Sequence, residues 1–76
     1  MLTADHVRER IAAALPGAQV DVQDTTGTGD HFQAHVVSAA FDGLSRVDQH
    51  RLVYAAVKAE LADGSIHALA LATRTP

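Results

Sequence analysis

The first apolar residues of the chain recur with the period of a helix. Val7, Ile11 and Leu15 stand four residues apart, which predicts one apolar stripe on a helix of about three turns. Thr3 is placed to cap the start of this helix, because its side-chain oxygen can accept a backbone N–H of the first turn. Pro16-Gly17 is predicted to end it.

The next segment changes to the alternating pattern of strands. Val20 and Val22 alternate with polar residues, which predicts a half-exposed strand. A loop at residues 25–30 contains two glycines and leads into a second strand, and so short a connection predicts an antiparallel hairpin. The second strand has an apolar side and a polar side. The apolar side is Phe32, Ala34 and Val36, and the polar side is His31, Gln33 and His35.

A helical segment follows the turn that leaves the sheet at Gly43. Ser45, with Asp48 three residues later, resembles a capping box and predicts the start of a helix. Propensity favours helix over residues 46–62, and Asp63-Gly64 ends it. Gly43 and Ser45 are therefore assigned structural roles in this turn and cap.

A break in this helical segment is predicted near His50 or Arg51. His50 lies along the apolar stripe, so we interpret it as a structural histidine with a hydrogen-bond partner. The stripe is predicted to contain Leu52, Val53, Ala56, Val57 and Leu61.

The last strand is apolar at nearly every position from Ile66 to Thr73. Such a run predicts a strand that is covered on one face and packed closely on the other. A strand–helix–strand connection of this length predicts a third strand parallel to the second. The element order is therefore αββααβ. It indicates one α+β domain over residues 1–76, with a three-stranded mixed sheet and helices packed on one face.

Length and composition limit the function. The 76 residues are 47% apolar, but mostly Ala, Val and Leu, which is enough for one layer of helices on a sheet and too little for a deep substrate cavity as well. Ser38, Ser45 and Ser65 lack the context of a nucleophile elbow. We therefore do not expect an enzyme.

The chain contains no cysteine. This excludes disulfides and any iron–sulfur cluster held by thiolates of this chain alone, so a soft metal would need histidine or a partner that brings the sulfur. The net charge of −3, without a block of Lys or Arg, argues against tight sequence-independent binding of DNA. No run reaches the about 20 apolar residues of a membrane span, and the N-terminus does not resemble a signal peptide. We expect a cytoplasmic protein.

Several short motifs, in order along the chain, resemble the BolA family. They are Phe41-Asp42-Gly43-Leu44-Ser45-Arg46-Val47, His50-Arg51-Leu52-Val53-Tyr54, Ile66-His67-Ala68-Leu69 and Thr73-Arg74-Thr75-Pro76. The segment Gly27-Thr28-Gly29-Asp30-His31-Phe32-Gln33 resembles the branch of that family with a shorter loop. The resemblance covers most of the chain and implies a class II KH-like fold, in agreement with the element order.

The resemblance also implies a function. By this resemblance the chain is expected to be a partner of a monothiol (CGFS-type) glutaredoxin and to act in iron homeostasis. The cysteine of the glutaredoxin and its bound glutathione would supply the sulfur ligands of a bridging [2Fe-2S] cluster. The BolA-like chain is expected to contribute the histidine of the Ile-His-Ala-Leu segment, here His67, and a second ligand from the loop between the first two strands. The isolated chain is then expected to hold no cofactor and to be a monomer or a weak dimer.

His67 and His31 are the candidate iron ligands. Imidazole can replace thiolate on iron, and His67 begins a predicted strand just after a glycine-containing turn. His31 is the histidine nearest the first loop, and it would approach His67 if the third strand pairs with the second. Asp30 is an oxygen alternative, less suited to iron–sulfur iron. The structural alternatives are a partly buried, hydrogen-bonded His67 and a solvated His31.

The other two histidines are assigned no ligand role. His35 shares a strand face with His31, but four residues of strand separate them by roughly 13 Å, too far to chelate one ion. His6 lies in the first turn of the first helix and is expected to be inert.

Arg51 and Arg74 are the candidate partner-binding residues. Together with Arg46 and Lys58 they could form a patch around the second helical segment and the last strand, although scattered charges are usually just solvated. The BolA family that the chain resembles also includes DNA-binding transcriptional regulators, so DNA binding as a transcriptional regulator is the alternative function. Residues 43–64 lack the Gly-x-x-Gly loop with which KH domains clamp nucleic acid.

Overall fold

The first helix, α1, spans Ala4–Ala14 in a computed structural model of the chain that describes residues 2–76. The Thr3 hydroxyl accepts a hydrogen bond from the His6 backbone N–H at 3.1 Å, so the predicted cap is confirmed. Val7 and Ile11 are fully buried and Leu15 nearly so, and the predicted stripe therefore faces the core.

Three strands form one sheet with β2 in the middle. They are β1 (Gln19–Asp24), β2 (His31–Val37) and β3 (Ala68–Arg74). β1 pairs with β2 antiparallel, and β2 pairs with β3 parallel. The predicted hairpin and the predicted parallel third strand are both confirmed.

The helices cover one face of this sheet, as predicted. Phe32, Ala34 and Val36 point into the core from β2 and are buried, while Gln33 and His35 on the other side are exposed. The prediction that β3 is covered on one face and packed closely on the other is wrong for its outer face. On its outer side Ala68, Ala70 and Ala72 are exposed, and the apolar run arose because small alanines occupy these solvent-facing positions.

The second helical segment consists of α2 (Arg46–Ala56) and α3 (Lys58–Ala62). The Ser45 hydroxyl accepts from the Asp48 N–H at 3.2 Å, which confirms the predicted cap. The predicted break near His50 or Arg51 is wrong, because these residues lie within regular helix. The helix instead breaks at Val57, where the backbone angles, φ −117° and ψ 26°, are not helical. The side chain of Val57 is buried in the core. No helix among the described residues 2–76 is long and apolar enough to cross a membrane.

The turn before α2 depends on Gly43. A short 3₁₀ helix, Ala39–Phe41, is followed by a turn closed by the Leu44 N–H to Phe41 C=O bond at 3.0 Å. Asp42 at φ −60° and ψ 129°, followed by Gly43 at φ +77°, gives the geometry of a type II turn, which favours glycine at that position. The structural role predicted for Gly43 rests on this conformation.

The apolar stripe of the two helices is narrower than predicted. Val53 and Val57 are fully buried, and Ala56 and Leu61 are half-buried. Leu52 is exposed, which corrects its predicted place in the stripe, because α2 turns it away from the sheet side occupied by Val53.

β3 begins two residues later than predicted. The Ile66 N–H donates to the Glu60 C=O at 3.0 Å, so the chain is still folded back on α3 at this position. The Ile66 side chain is buried in the core, which explains its apolar character without a strand. His67 therefore precedes the strand.

A buried carboxylate joins α3 to α1. Glu60 is 7% exposed and accepts from His6 Nε2 at 2.8 Å, and Arg10 Nε lies 3.3 Å from the same oxygen. Burial raises the pKa of the Glu60 carboxyl. A hydrogen bond from His6, one from the backbone N–H of Glu60, and the charges of Arg10 and His6 lower the pKa and outweigh the effect of burial. The pKa of Glu60 is therefore below its ordinary value. The expectation that His6 is inert is wrong.

We expect Glu60→Gln to lower the free energy of unfolding at neutral pH by about 1–2 kcal/mol, because the amide keeps the shape of the side chain and loses its charge-assisted hydrogen bonds. The folded-state pKa is lowered, so the carboxylate stabilises the fold fully above its ordinary pKa, and this contribution is lost as the pH falls through the lowered value. Urea unfolding from neutral pH to about pH 3 should show wild type and variant converging at the acid end.

The exposed Glu9 on α1 supplies the control. Glu9→Gln should match wild type within a few tenths of a kcal/mol at every pH, as surface substitutions usually do. A Glu60→Gln deficit that stays constant across the whole pH range would contradict the role given to the charge.

Candidate metal centre

The start of β2 and the residue before β3 meet at one end of the sheet. His31 opens β2 and pairs in register with Ala68, the first residue of β3, so His67 comes next to it. The two imidazole rings lie 5.8 Å apart, centroid to centroid, and are nearly perpendicular at 84°. The predicted approach of His31 to His67 across neighbouring strands is therefore confirmed.

The backbone of Asp30 fixes His67 in place. Its carbonyl accepts from the His67 N–H at 2.8 Å and from the Ala68 N–H at 3.3 Å. These two hydrogen bonds are made by the backbone, so they fix the position of residue 67 without using its imidazole. The ring can therefore contact other groups.

The carboxylate of Asp30 lies between the two imidazoles. Oδ1 is 2.7 Å from His31 Nδ1, and Oδ2 is 3.4 Å from His67 Nδ1. An ionised carboxylate only accepts hydrogen bonds, so of the two neutral tautomers of the His31 ring it favours the one that carries its proton on Nδ1 and leaves the lone pair on Nε2. The His67 ring faces the same carboxylate at the longer distance. The side chains of His67 and His31 are 62% and 41% exposed, which allows a ligand on a second molecule to reach them.

The surroundings of Asp30 keep it ionised. Hydrogen bonds from the Thr28 hydroxyl and from His31 lower the pKa of the carboxyl. Slight desolvation raises it, and the charges of His31 and His67 lower it further, so the net pKa is below its ordinary value. At neutral pH the group is therefore a carboxylate acceptor facing both rings.

A second aspartate orders the loop that leads to this site. Asp24, at the end of β1, accepts from the backbone N–H groups of Gly27 and Gly29 at 2.9 Å each, and from that of Thr26 at 3.3 Å. Gly29 is buried at φ +74°, a conformation that favours glycine. The sequence analysis missed Asp24, although an aspartate just before a glycine-containing loop is a known signal for such a turn.

Three side chains of this end of the sheet could hold a metal ion together. Asp30, His31 and His67 each offer one ligand atom, and these atoms all lie within 4.8 Å of one another. Two imidazoles and one carboxylate form a donor set of the kind that binds iron and other first-row metals. The two predicted ligands and the oxygen alternative are thus brought together, and which of them binds a metal stays a prediction.

The remaining histidines lie elsewhere. His35 stands on the exposed face of β2, where its Nε2 is 3.3 Å from the Gln33 amide nitrogen. His50 is half-buried on α2, with its ring edge-on to Tyr54 at 6.5 Å between centroids. Among residues 2–76 the ring has no hydrogen-bond partner, so the partner predicted for it is not found, and the structural role of His50 stays a prediction.

The two predicted partner-binding arginines do not share a surface. Arg51 projects from α2 and is near the Asp48 carboxylate at 3.4 Å. Arg74 pairs in register with Val37 on the outer side of the sheet, opposite the side that Thr73 turns toward Gln49 of α2. The predicted patch that joins both arginines is therefore wrong, because alternate residues of β3 point to opposite faces.

Comparison with known proteins identifies the family. A family profile described as BolA-like protein matches residues 8–76. The chain belongs to the BolA-like family. This BolA-like chain has an α+β fold with a three-stranded mixed sheet. The fold was predicted both from the order of its elements and from the family resemblance.

Individual relatives agree with the family. Human BolA-like protein 1 is 52% identical over 77 residues, which cover 92% of this chain and 56% of the human protein. The chain thus spans about half the length of the curated relative. The crystal structure of a bol-like protein from Babesia bovis matches at a TM-score of 0.86 with 34% identity, covering 100% of this chain and 87% of that one. The BolA domain of SufE1 from Arabidopsis thaliana matches at 0.83 with 34% identity, covering 96% and 91%.

Proposed function

We propose that this BolA-like chain is a non-enzymatic partner of a monothiol glutaredoxin, with which it shares or transfers a [2Fe-2S] cluster through histidine ligation. The observation that carries the proposal is the pair of exposed imidazoles, 5.8 Å apart, whose Nδ1 atoms both face Asp30. A chain without cysteine brings no thiolate to such a complex, so imidazoles are the ligands it can best offer to the iron. The family resemblance supplies the partner.

The donor set fits one iron of a cluster whose other ligands are sulfur. His67 is the main ligand, because it is the more exposed of the two rings and its backbone is held independently of the side chain. His31 is the second ligand. Asp30 accepts from its Nδ1, which leaves the Nε2 lone pair free for the iron, and the same carboxylate faces Nδ1 of His67. The cluster, as cargo, supplies irons that accept imidazole in place of thiolate, and this exchange raises the reduction potential.

Two of the three serines have a structural role. The hydroxyl of Ser45 accepts from the Asp48 N–H, and the buried hydroxyl of Ser38 accepts from the Ala40 N–H. Both hydroxyls therefore cap helices. Turnover by the isolated chain is not part of the proposal.

Mixing the chain with a cluster-loaded monothiol glutaredoxin and glutathione tests the proposal. We expect the visible circular dichroism to change and the iron to elute with a one-to-one heterodimer, because one thiolate-bearing protomer is exchanged for this chain. An unchanged spectrum, with the iron still in the glutaredoxin homodimer, would contradict the proposal.

A DNA-binding regulator, the alternative, has less support. Each Lys or Arg that neutralises a phosphate adds to the affinity for DNA. Arg74 lies on the other side of the sheet, so only Arg46, Arg51 and Lys58 of the predicted patch remain on the helical side. A gel shift with a DNA duplex at low salt distinguishes this function from the first.

A further inference from the structure

The large apolar side chains that residues 2–76 expose are concentrated in one segment. They are Leu44, Val47, Leu52 and Tyr54. All four lie in the turn before α2 or on α2 itself. Of these four, Tyr54 also lines a groove, and an exposed apolar groove on a small domain is a candidate binding site.

A shallow groove runs along the outer side of α2 and α3 from this segment. Its lining is mostly apolar and includes two cations. The groove, called here the α2–α3 groove, is lined by Arg51, Tyr54, Ala55, Lys58, Leu61 and Ala62.

The charge of the groove is opposite to that of the whole chain. The net charge is −3, yet Arg51 and Lys58 give the groove two cations. Arg51 meets Asp48 only through an exposed contact at 3.4 Å, and within residues 2–76 Lys58 forms no ion pair. Exposed pairs of this kind stabilise little, so both cations are available to an acidic group on another molecule.

The Tyr54 end of the groove lies near the candidate metal centre. The Tyr54 hydroxyl donates to the Leu69 C=O at 3.4 Å, and Leu69 is two residues beyond His67. Two residues of strand span roughly 7 Å. A protein large enough to bring sulfur ligands to His67 would therefore also cover the Tyr54 end of the groove.

We propose that the α2–α3 groove docks an acidic surface element with an apolar centre, located on the same protein that brings the sulfur ligands. The proposal rests on the proposed function and adds the surface by which the partner is held before any ligand exchange. Tyr54 and Arg51 are residue types that dominate binding energy when an interface buries them, and the apolar floor favours a protein side chain over a hydrated phosphate backbone. DNA in this groove is the competing outcome.

The test is titration of the chain with a cluster-free monothiol glutaredoxin, followed by calorimetry and by NMR shifts. We expect the double variant Arg51→Glu, Lys58→Glu to weaken binding by about tenfold or more, because reversed charges meet an acidic partner. Tyr54→Ala should weaken it as well. His67→Ala should bind the cluster-free partner within about twofold of wild type, because its contribution is to the iron and not to docking.

The matched control reverses Arg8, an exposed arginine of α1 that is paired with Asp5. Arg8→Glu should leave the affinity near wild type, and far-UV circular dichroism should show all variants folded. If wild type binds and the double variant binds equally well, the groove proposal is overturned and the proposed function stands. If wild type does not bind the cluster-free glutaredoxin, the groove proposal is overturned, and the experiment with the cluster-loaded glutaredoxin still decides the proposed function. If the double variant loses only binding to a DNA duplex, the groove belongs to nucleic acid and the proposal is overturned.

Discussion

We expect the His67→Ala variant to leave the visible circular dichroism of a cluster-loaded monothiol glutaredoxin unchanged, whereas wild type alters it. Alanine removes the nitrogen donor and leaves the backbone bond from residue 67 to the Asp30 carbonyl intact. Because the side chain is 62% exposed, its loss should cost little folding stability, and the thermal midpoint should stay close to that of wild type. The loss of the spectral change is then a loss of ligation and not of the fold.

His35→Ala is the matched control for this prediction. His35 is an exposed histidine of the same sheet face as His31, four residues along β2 and far from His67. The control should reproduce the wild-type spectrum. A wild-type spectrum from His67→Ala would remove this residue from the ligand set.

The second large effect is expected from Asp30→Asn. An asparagine offers one acceptor and one donor group, so it cannot accept from both rings, and the ring that meets the amide NH₂ is favoured in the form with its proton on Nε2. That ring then lacks its lone pair toward the iron. Loss of such a supporting carboxylate typically costs about 10–100-fold in metal affinity, and we expect the heterodimer to retain its cluster correspondingly less well.

Nitrogen-15 NMR of the cluster-free chain gives a readout that does not depend on the cluster. Wild type should show both His31 and His67 with the proton on Nδ1, and Asp30→Asn should move at least one of them toward protonation at Nε2. Asp21→Asn, an exposed carboxylate opposite His35 on the paired strand, removes the same charge and should change neither the tautomers nor the cluster retention. Unchanged tautomers in Asp30→Asn would contradict the positioning role of Asp30.

Much of the fold follows from local patterns. The stripe of α1, the caps at Thr3 and Ser45 and the hairpin are each encoded within a few neighbouring residues, and each was predicted. The break at Val57 was not, because neither glycine nor proline occurs there and the backbone departs from the helix where a buried side chain is packed. Ile66 was assigned to a strand because it is apolar. An isoleucine buried in the core outside a strand looks the same in the sequence as one buried within a strand.

The candidate site was predictable only in part. Histidine chemistry and the family resemblance selected His67 and His31, but the place of Asp30 between them depends on the register that sets His31 opposite Ala68. The pairing of Glu60 with His6 joins residues 54 positions apart, and no local pattern in either helix indicates it. Arg74 was grouped with Arg51 because the sequence does not reveal which face of β3 it occupies.

Direct observation of nitrogen on the iron is the most decisive measurement. The chain is labelled with nitrogen-15, mixed with unlabelled cluster-loaded glutaredoxin and glutathione, and reduced so that the cluster becomes paramagnetic. Pulsed EPR should then detect strong nitrogen-15 hyperfine coupling from the labelled chain, and this coupling should be absent in His67→Ala. A heterodimer whose reduced cluster couples to no nitrogen of the labelled chain would contradict histidine ligation, whatever its other spectra show.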